Sequence, residues 1–221
     1  GKRAAMPEPT TLLLVRHGQT EWNAANRVQG QTNSDLTELG RAQAEAVAKL
    51  LDADAPAVRS WEARPTVLYA SDLDRTQQTA APISARLDLE PILDPRLREM
   101  HFGDLEGLTW PELEAKFPEV SMRLWGSATD PERPAPGEGG ESRVDMHRRS
   151  RSALEEIAER HPGETVVVVS HGGVISFFIR SVLNVPFDAR PSFSTANGSI
   201  AVARYKDEAF RLLSIGLTPA L

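Results

Sequence analysis

Two stretches of this chain are apolar without interruption and then turn polar within a residue or two. TLLLV (11–15) runs into Arg16, His17 and Gly18, and TVVVVS (165–170) runs into His171, Gly172 and Gly173. Their length suits strands, and the lack of an alternating polar face predicts central positions in a parallel sheet covered on both sides. TVLYAS (66–71) predicts another strand and leads to Asp72 and Arg75, while SIAVARY (199–205) and FRLLSIG (210–216) predict further strands. Between these runs the apolar spacing becomes helical. LTELGRAQAEAVAKLL (36–51) sets Leu39, Ala42, Ala46, Val47 and Leu50 on one face, with Thr37 as N-cap. Residues 74–87 and 142–160 behave alike, the second capped by Ser142, and 173–183 is apolar on most sides and predicts a buried helix.

Strands alternating with helices predict an α/β fold: a three-layer α/β/α sandwich with a mostly parallel central sheet and right-handed crossovers. Two regions break the alternation: 100–126, with short helices and several aromatics, and 127–141, rich in Pro and Gly. Together they predict a small inserted lid, about 100–141, within a single domain over 11–221; residues 1–10 read as a flexible N-terminus or an appended remnant ahead of Met6. At 221 residues one core suffices. The net charge of −6 disfavours nucleic acid or an anionic membrane as partner. No apolar run reaches membrane length and no signal-peptide pattern is seen, so a cytoplasmic protein is expected. The absence of cysteine removes disulfides, thiolate metal sites and a cysteine nucleophile. A homodimer is left open.

Ligands of open α/β sheets bind outside the carboxyl ends of the strands, and here those ends carry Arg16 and His17, Ser71 and Arg75, and Ser170 and His171. Arginine forks match phosphate oxygens and stay charged, so a pair makes a dianion clamp rather than a proton shuttle. Gly18 is expected to let the backbone approach the ligand, and Gly172 and Gly173 to offer N–H groups at a helix start, where anions are favoured. Asn23 is a further donor. With no cysteine and no metal-binding spacing, attack on phosphorus falls to a histidine nitrogen, a serine or water. Arg16 beside His17 favours a ring that is neutral and nucleophilic at pH 7, hence a phosphohistidine. The expected ligand is a small phosphorylated metabolite, with no metal and no cofactor.

Four blocks in this order, RHGQTEWN, SDLDRTQQTA, LREMHFGDLEG and SHGG, resemble the histidine phosphatase superfamily, also called the phosphoglycerate-mutase-like family, over roughly residues 11–185. The resemblance implies that His17 is the phosphorylated nucleophile, that Arg16, Arg75 and His171 hold the phosphoryl oxygens, that Glu99 protonates the leaving alcohol, and that Thr20 and Asn23 touch the phosphate. Chemistry gives its own reason for Glu99: an alkoxide needs a proton, and the same carboxylate can then take one from the hydrolytic water. Glu106 is its nearest rival, and His101, two residues on, is a candidate lining residue together with Gly172. One departure concerns the Q-G-x-x-D-x-x-L pattern of many members: Asn33 stands where the aspartate would be and Asp35 lies two residues further on, which leaves the roles of both open.

Plainer readings cover the rest. His147 and His161 are expected to be solvated helix residues. HRRSRS (147–152) and PERP (131–134) are expected to be solvated faces, with Arg133 or Arg143 as the exceptions able to touch substrate. Trp110, Phe117, Met122 and Trp125 are expected to pack the lid. Met100 follows Glu99 where the glycolytic mutases carry an arginine, and the insert offers only Lys116, Arg123 and Arg133 among acidic residues, so a triose carboxylate should be poorly held. The expectation is therefore a metal-independent phosphomonoester hydrolase of the broad phosphatase branch. Phosphoglycerate-mutase-type transfer is the alternative, and a non-catalytic phosphate-binding module a remote one.

Overall fold

The computed structural model describes residues 7–53, 61, 63–125, 129–190 and 193–221. The N-terminal segment up to Met6 lies outside them. Strands β1 (Thr10–Arg16), β2 (Val67–Ala70), β3 (Pro91–Leu93), β4 (Thr165–Ser170), β5 (Ile200–Lys206) and β6 (Ala209–Leu217) make one sheet in the order β3-β2-β4-β1-β5-β6. The first four are parallel, and β5 and β6 add an antiparallel edge. The two uninterrupted apolar runs are the central neighbours β1 and β4, in register from Thr11 opposite Thr165 to Arg16 opposite Ser170.

Strand side chains alternate between two layers of helix. Leu12, Leu14, Val166 and Val168 meet α6 (Arg143–Arg160) and α7 (Gly172–Val182) through Leu154, Ile157 and Phe178. Leu13, Val15, Val167 and Val169 meet α2 (Glu38–Asp52) and α3 (Asp74–Leu87) through Val47, Leu51 and Ile83. Each fully buried valine or leucine is worth roughly 1.5–3 kcal/mol of transfer free energy, which makes β4 a continuous stabilising rod. A third cluster, with Met100, Leu105, Leu113, Leu124, Met146, Val174 and Phe177, ties the aromatic-rich segment to α6 and α7. That segment contains α4 (Trp110–Lys116) and α5 (Pro118–Trp125); α1 (Glu21–Ala24) is a single turn after β1. Among the described residues no helix is long and apolar enough to cross a membrane.

Several details differ from the sequence expectation. Strand β1 takes in Thr10, whose hydroxyl donates to the carbonyls of Ala158 (2.6 Å) and His161 (3.0 Å). The edge strand β3 was not expected: it is short, starts at a proline and leaves Ile92 and Leu93 exposed, so no apolar period marks it. Helix α2 is capped by Thr37 as expected, and Ala46 and Val47 are buried as expected, but its buried face also takes in Gly40, Ala44, Ala48 and Leu51, while Leu39 and Ala42 are exposed. The rotation is set by Gly40, where a Cβ would collide with the Gln19 carbonyl. Phe117 packs against the third cluster and Met122 does not, being 58% exposed.

Candidate active site

The reactive residues sit where the parallel strands stop. The His17 backbone N–H bonds the Ser170 carbonyl (3.1 Å) and the Ser71 N–H bonds the Val169 carbonyl (3.0 Å), so the three strand ends are cross-linked by main chain. His17 and His171 face each other edge to face with ring centroids 5.3 Å apart, and both are almost wholly buried. His17 Nδ1 lies 2.8 Å from the Gly18 carbonyl, which can only accept. Nδ1 therefore carries the proton and Nε2 keeps its lone pair. Burial, then Arg75 and then Arg16 push the His17 pKa well below its ordinary 6.5. His171 is pushed down likewise by burial and by Arg75; its Nε2 lies 2.8 Å from Ser71 Oγ and its buried Nδ1 has no partner.

Arg75 reaches this point from the first turn of α3. Its guanidinium donates to the carbonyls of Thr32 (3.1 Å) and Gly30, and it is not paired with Asp72. Burial lowers its pKa to about 10, against the pull of Glu99 and Glu106, so it stays cationic at neutral pH. Arg16 donates to the Thr195 carbonyl and lies against Gly172, where a Cβ would stand 3.1 Å from the guanidinium carbon. Gly173 in turn makes room for Glu99, whose Oε2 accepts its N–H (2.9 Å) while Oε1 accepts from Met100 N (2.9 Å). The two glycines that open α7 thus admit one arginine and one carboxylate.

Glu99 is not paired with Arg96 or Arg98; its position comes from a scaffold of charges. Arg98 forks Asp72 (2.6 and 2.7 Å), and Arg96 binds Asp94 (2.8 Å) and Glu156 (2.7 Å). Arg149 donates to the carbonyls of Arg96 (2.9 Å), Arg98 (2.6 Å) and Glu99 (2.8 Å) while paired with Glu141 (2.7 Å). Arg149 belongs to the run expected to be a solvated face. The signal that could have singled it out is its spacing from Met146, Ser150 and Ala153, which puts it near the buried side of α6. Glu106, the rival donor, is occupied by Gln31 N, Phe102 N and the Thr32 hydroxyl.

Other expected contacts are used within the protein. The Thr20 hydroxyl and the Asn23 side chain form the capping box of α1, and Asn23 also accepts from Asn197. His101 Nδ1 accepts from Gly103 N (3.1 Å), and its ring packs beside Gly139 in the Pro/Gly-rich loop. Gly18 makes room for the Gly40 carbonyl, because the first turn of α2 presses on it. Asn33 and Asp35 hold α3: Asn33 accepts from Asp74 N (3.2 Å) and Asp35 from Gln78 (3.0 Å). His147 and His161 are not solvated. His147 packs on Phe187 with its pKa lowered by burial to about 4, and His161 bridges Glu164 and Tyr69 at 2.8 Å each. His147 projects from α6 and His161 is its C-cap, and both are part-covered by neighbouring segments, a tertiary placement that no local pattern marks.

Beside Glu99 opens a cavity of about 300 Å³. Arg16, Glu99, Gly172 and Gly173 form one side; Phe102, Trp125, Phe177 and Phe193 bring aromatic surface, and Arg143, Ser176, Arg180 and Thr195 bring polar groups. His17, Arg75, His171 and His101 do not line it. Arg143 was one of two arginines expected to be able to touch substrate; Arg180 was missed inside a helix read as merely apolar. Among the described residues no cluster of three or more histidines and carboxylates lies within metal-binding reach.

The sequence matches the histidine phosphatase superfamily (branch 1) over residues 12–218. It is 40% identical over 202 residues to a metal-independent phosphoserine phosphatase of Arabidopsis thaliana, covering 91% of this chain and 79% of that protein. It is 37% identical over 183 residues to a glucosyl-3-phosphoglycerate phosphatase of Mycobacterium tuberculosis, covering 79% and 76%. A solved structure of a mycobacterial glucosyl-3-phosphoglycerate phosphatase with VO3 superposes with a TM-score of 0.78 at 34% identity, covering 94% of this chain and 98% of that one. The chain belongs to branch 1 of the histidine phosphatase superfamily.

Proposed function

We propose that the protein hydrolyses small phosphomonoesters in two steps through a phosphohistidine on His17. The observation that carries this reading is the His17 ring itself: its proton is fixed on Nδ1 by the Gly18 carbonyl, and burial beside Arg75 and Arg16 keeps Nε2 free. The Nε2 lone pair attacks phosphorus, the ester P–O bond breaks, and Glu99 gives its proton to the departing oxygen. Water then attacks the phosphohistidine, Glu99 takes the water proton, the P–N bond breaks, and phosphate leaves. The unpaired Nε atoms of Arg16 and Arg75 and the unpaired Nδ1 of His171 are buried donors available for phosphoryl oxygens. With Ser71 donating to His171 Nε2, the His171 proton sits on Nδ1. Arg16 and Arg75 supply the charge that Mg²⁺ supplies in other phosphoryl transfer enzymes.

The relatives named as phosphatases, one of them metal-independent, support a metal-independent phosphomonoester hydrolase. The test is steady-state turnover of a panel of phosphomonoesters with EDTA present, assaying free phosphate and isomerised ester in parallel. Phosphate release that survives EDTA is expected. Isomerised ester without phosphate would make the protein a mutase, and loss of turnover on chelation would overturn the metal-independent mechanism.

A further inference from the structure

Arg75 is 1% exposed, and its guanidinium is held by the main-chain carbonyls of Gly30 and Thr32 rather than by a carboxylate. Those carbonyls belong to residues 28–35, which form no helix or strand, so their positions depend on side chains that satisfy the neighbouring N–H groups. Glu106 does this from the opposite side. It follows the short 3₁₀ turn Gly103–Leu105, and its Oε1 accepts the Gln31 N–H (2.8 Å) while its Oε2 accepts the Thr32 hydroxyl. The Gly30 carbonyl and the Gln31 N–H are the two ends of one peptide group, which therefore lies between a cation at its oxygen and an anion at its nitrogen. Thr32 bridges the same two side chains a second time, with its carbonyl on Arg75 Nη1 (3.1 Å) and its hydroxyl on Glu106. Both charges polarise the shared peptide in the same sense, which strengthens both hydrogen bonds. Close approach is secured at Gly30, whose φ of +57° suits glycine and where a Cβ would collide with the Glu106 carboxylate.

We infer that Glu106 is a positioning residue for phosphoryl transfer, acting through residues 30–32 to fix the plane of the Arg75 guanidinium. The inference rests on the phosphatase reading, which puts the phosphoryl group at Arg75. With Nη1 and Nη2 each donating to a carbonyl, the guanidinium cannot turn in its plane, and the direction of its unpartnered Nε is set by the same two bonds. Charge follows the same route: burial lowers the Arg75 pKa, and Glu99 and Glu106 are the carboxylates that oppose it. Glu106 also accepts the Phe102 N–H (3.2 Å), and the Gln31 side chain donates to the Glu99 carbonyl (3.2 Å), so the loop touches the Glu99 segment as well. The route to Arg75 is the stronger one, because two bridges run from the carboxylate to the guanidinium and only one weak bond runs from the loop to the Glu99 main chain.

The experiment is a double-mutant cycle of Glu106→Gln and Arg75→Ala, read as kcat/KM on p-nitrophenyl phosphate and on glycerol 3-phosphate, with inhibition by inorganic phosphate measured in parallel. Glutamine keeps the size of the side chain and an oxygen for the Gln31 N–H but loses the charge. Alone it should lower kcat/KM about 10-fold on both esters and weaken phosphate inhibition by a similar factor, as a displaced clamp would. In the Arg75→Ala background it should lower kcat/KM by about 2-fold or less, since the group it positions has gone. Thr32→Val, which removes one bridge and leaves the carboxylate in place, should cost about 3-fold, and its effect should likewise vanish beside Arg75→Ala. Equal factors in both backgrounds, or an unchanged kcat/KM in Glu106→Gln and Thr32→Val, would overturn the role. A loss confined to glycerol 3-phosphate would overturn it too, by placing the effect at Glu99. In each of these cases phosphate release by the unmodified enzyme would still uphold the phosphatase; its absence on every ester would remove the phosphatase reading and this role with it.

Discussion

The two ends of the candidate active site are built differently. At the proposed phosphate end, Arg16 is the last residue of β1, His17 and His171 are the first residues beyond β1 and β4, and Arg75 stands on the first turn of α3. Main-chain bonds between neighbouring strands fix them, and their environment is buried. At the other end, beside the cavity, Glu99 sits in an irregular segment, and Arg143 and Arg180 project from two helices. Their placement depends on Arg149, on the Asp72–Arg98 fork and on aromatic packing, all half-exposed or side-chain mediated. The rigid end fits chemistry shared across a superfamily, and the side-chain-built end is where specificity can change without disturbing the sheet.

Substitutions should separate the two ends. At the phosphate end, Arg75→Ala should cut kcat/KM by about 10²–10³-fold on every ester, whatever its leaving group, because it removes charge from the transferring phosphoryl. A loss confined to some esters would place Arg75 in substrate selection instead. At the other end, Glu99→Gln should slow alkyl esters by about 10²–10⁴-fold and p-nitrophenyl phosphate far less, since nitrophenolate leaves without a proton. Equal losses on both would sink the proton-donor role.

Arg149 touches neither reacting atom, and its effect should pass through Glu99. Arg149→Ala should lower kcat on alkyl esters roughly 10-fold by loosening the Glu99 main chain, again sparing p-nitrophenyl phosphate. Rescue by Arg149→Lys should be poor, because three carbonyls and Glu141 are bound through the guanidinium fork.

The smallest effect concerns pH. His17 and His171 titrate well below 6.5 in the folded protein and near that value when unfolded. A depressed folded pKa means that the unfolded chain binds more protons, so this contribution to stability is complete above pH 6.5 and is lost as the pH falls below it. Urea midpoints measured between pH 7.5 and 5 should decline. A flat profile would mean that the two histidines are less desolvated than the fold implies.

How much of this was legible in the sequence follows the same division. The central strands could be read because β1 and β4 are apolar on both faces and their polar ends are adjacent in the chain, so RHG and SHGG appear as intact words. The α/β layering followed from the spacing of those runs. Helix α2 was found but rotated, since the close approach of Gly40 to Gln19, and not apolar periodicity, sets its face. Strand β3 has too few residues to show a period. Arg149 and Arg180 were passed over because each lies in a helix whose other residues explain it, one as charged surface and one as core, although the spacing of Arg149 from Met146 and Ala153 does carry a signal. His101, Thr20 and Asn23 stand in the same words, and their side chains take part in local hydrogen bonds that the words do not show.

The most direct test is to quench the enzyme in base during turnover of a labelled ester and look for a phosphoryl group that is stable in alkali and labile in acid. Labelling of the wild-type protein, mapping to His17 and absent from a folded His17→Ala variant that has lost turnover by about 10⁴-fold or more, is the expected result. Turnover in the variant at a comparable rate, or label found on a serine, would show that phosphorus is attacked by another group.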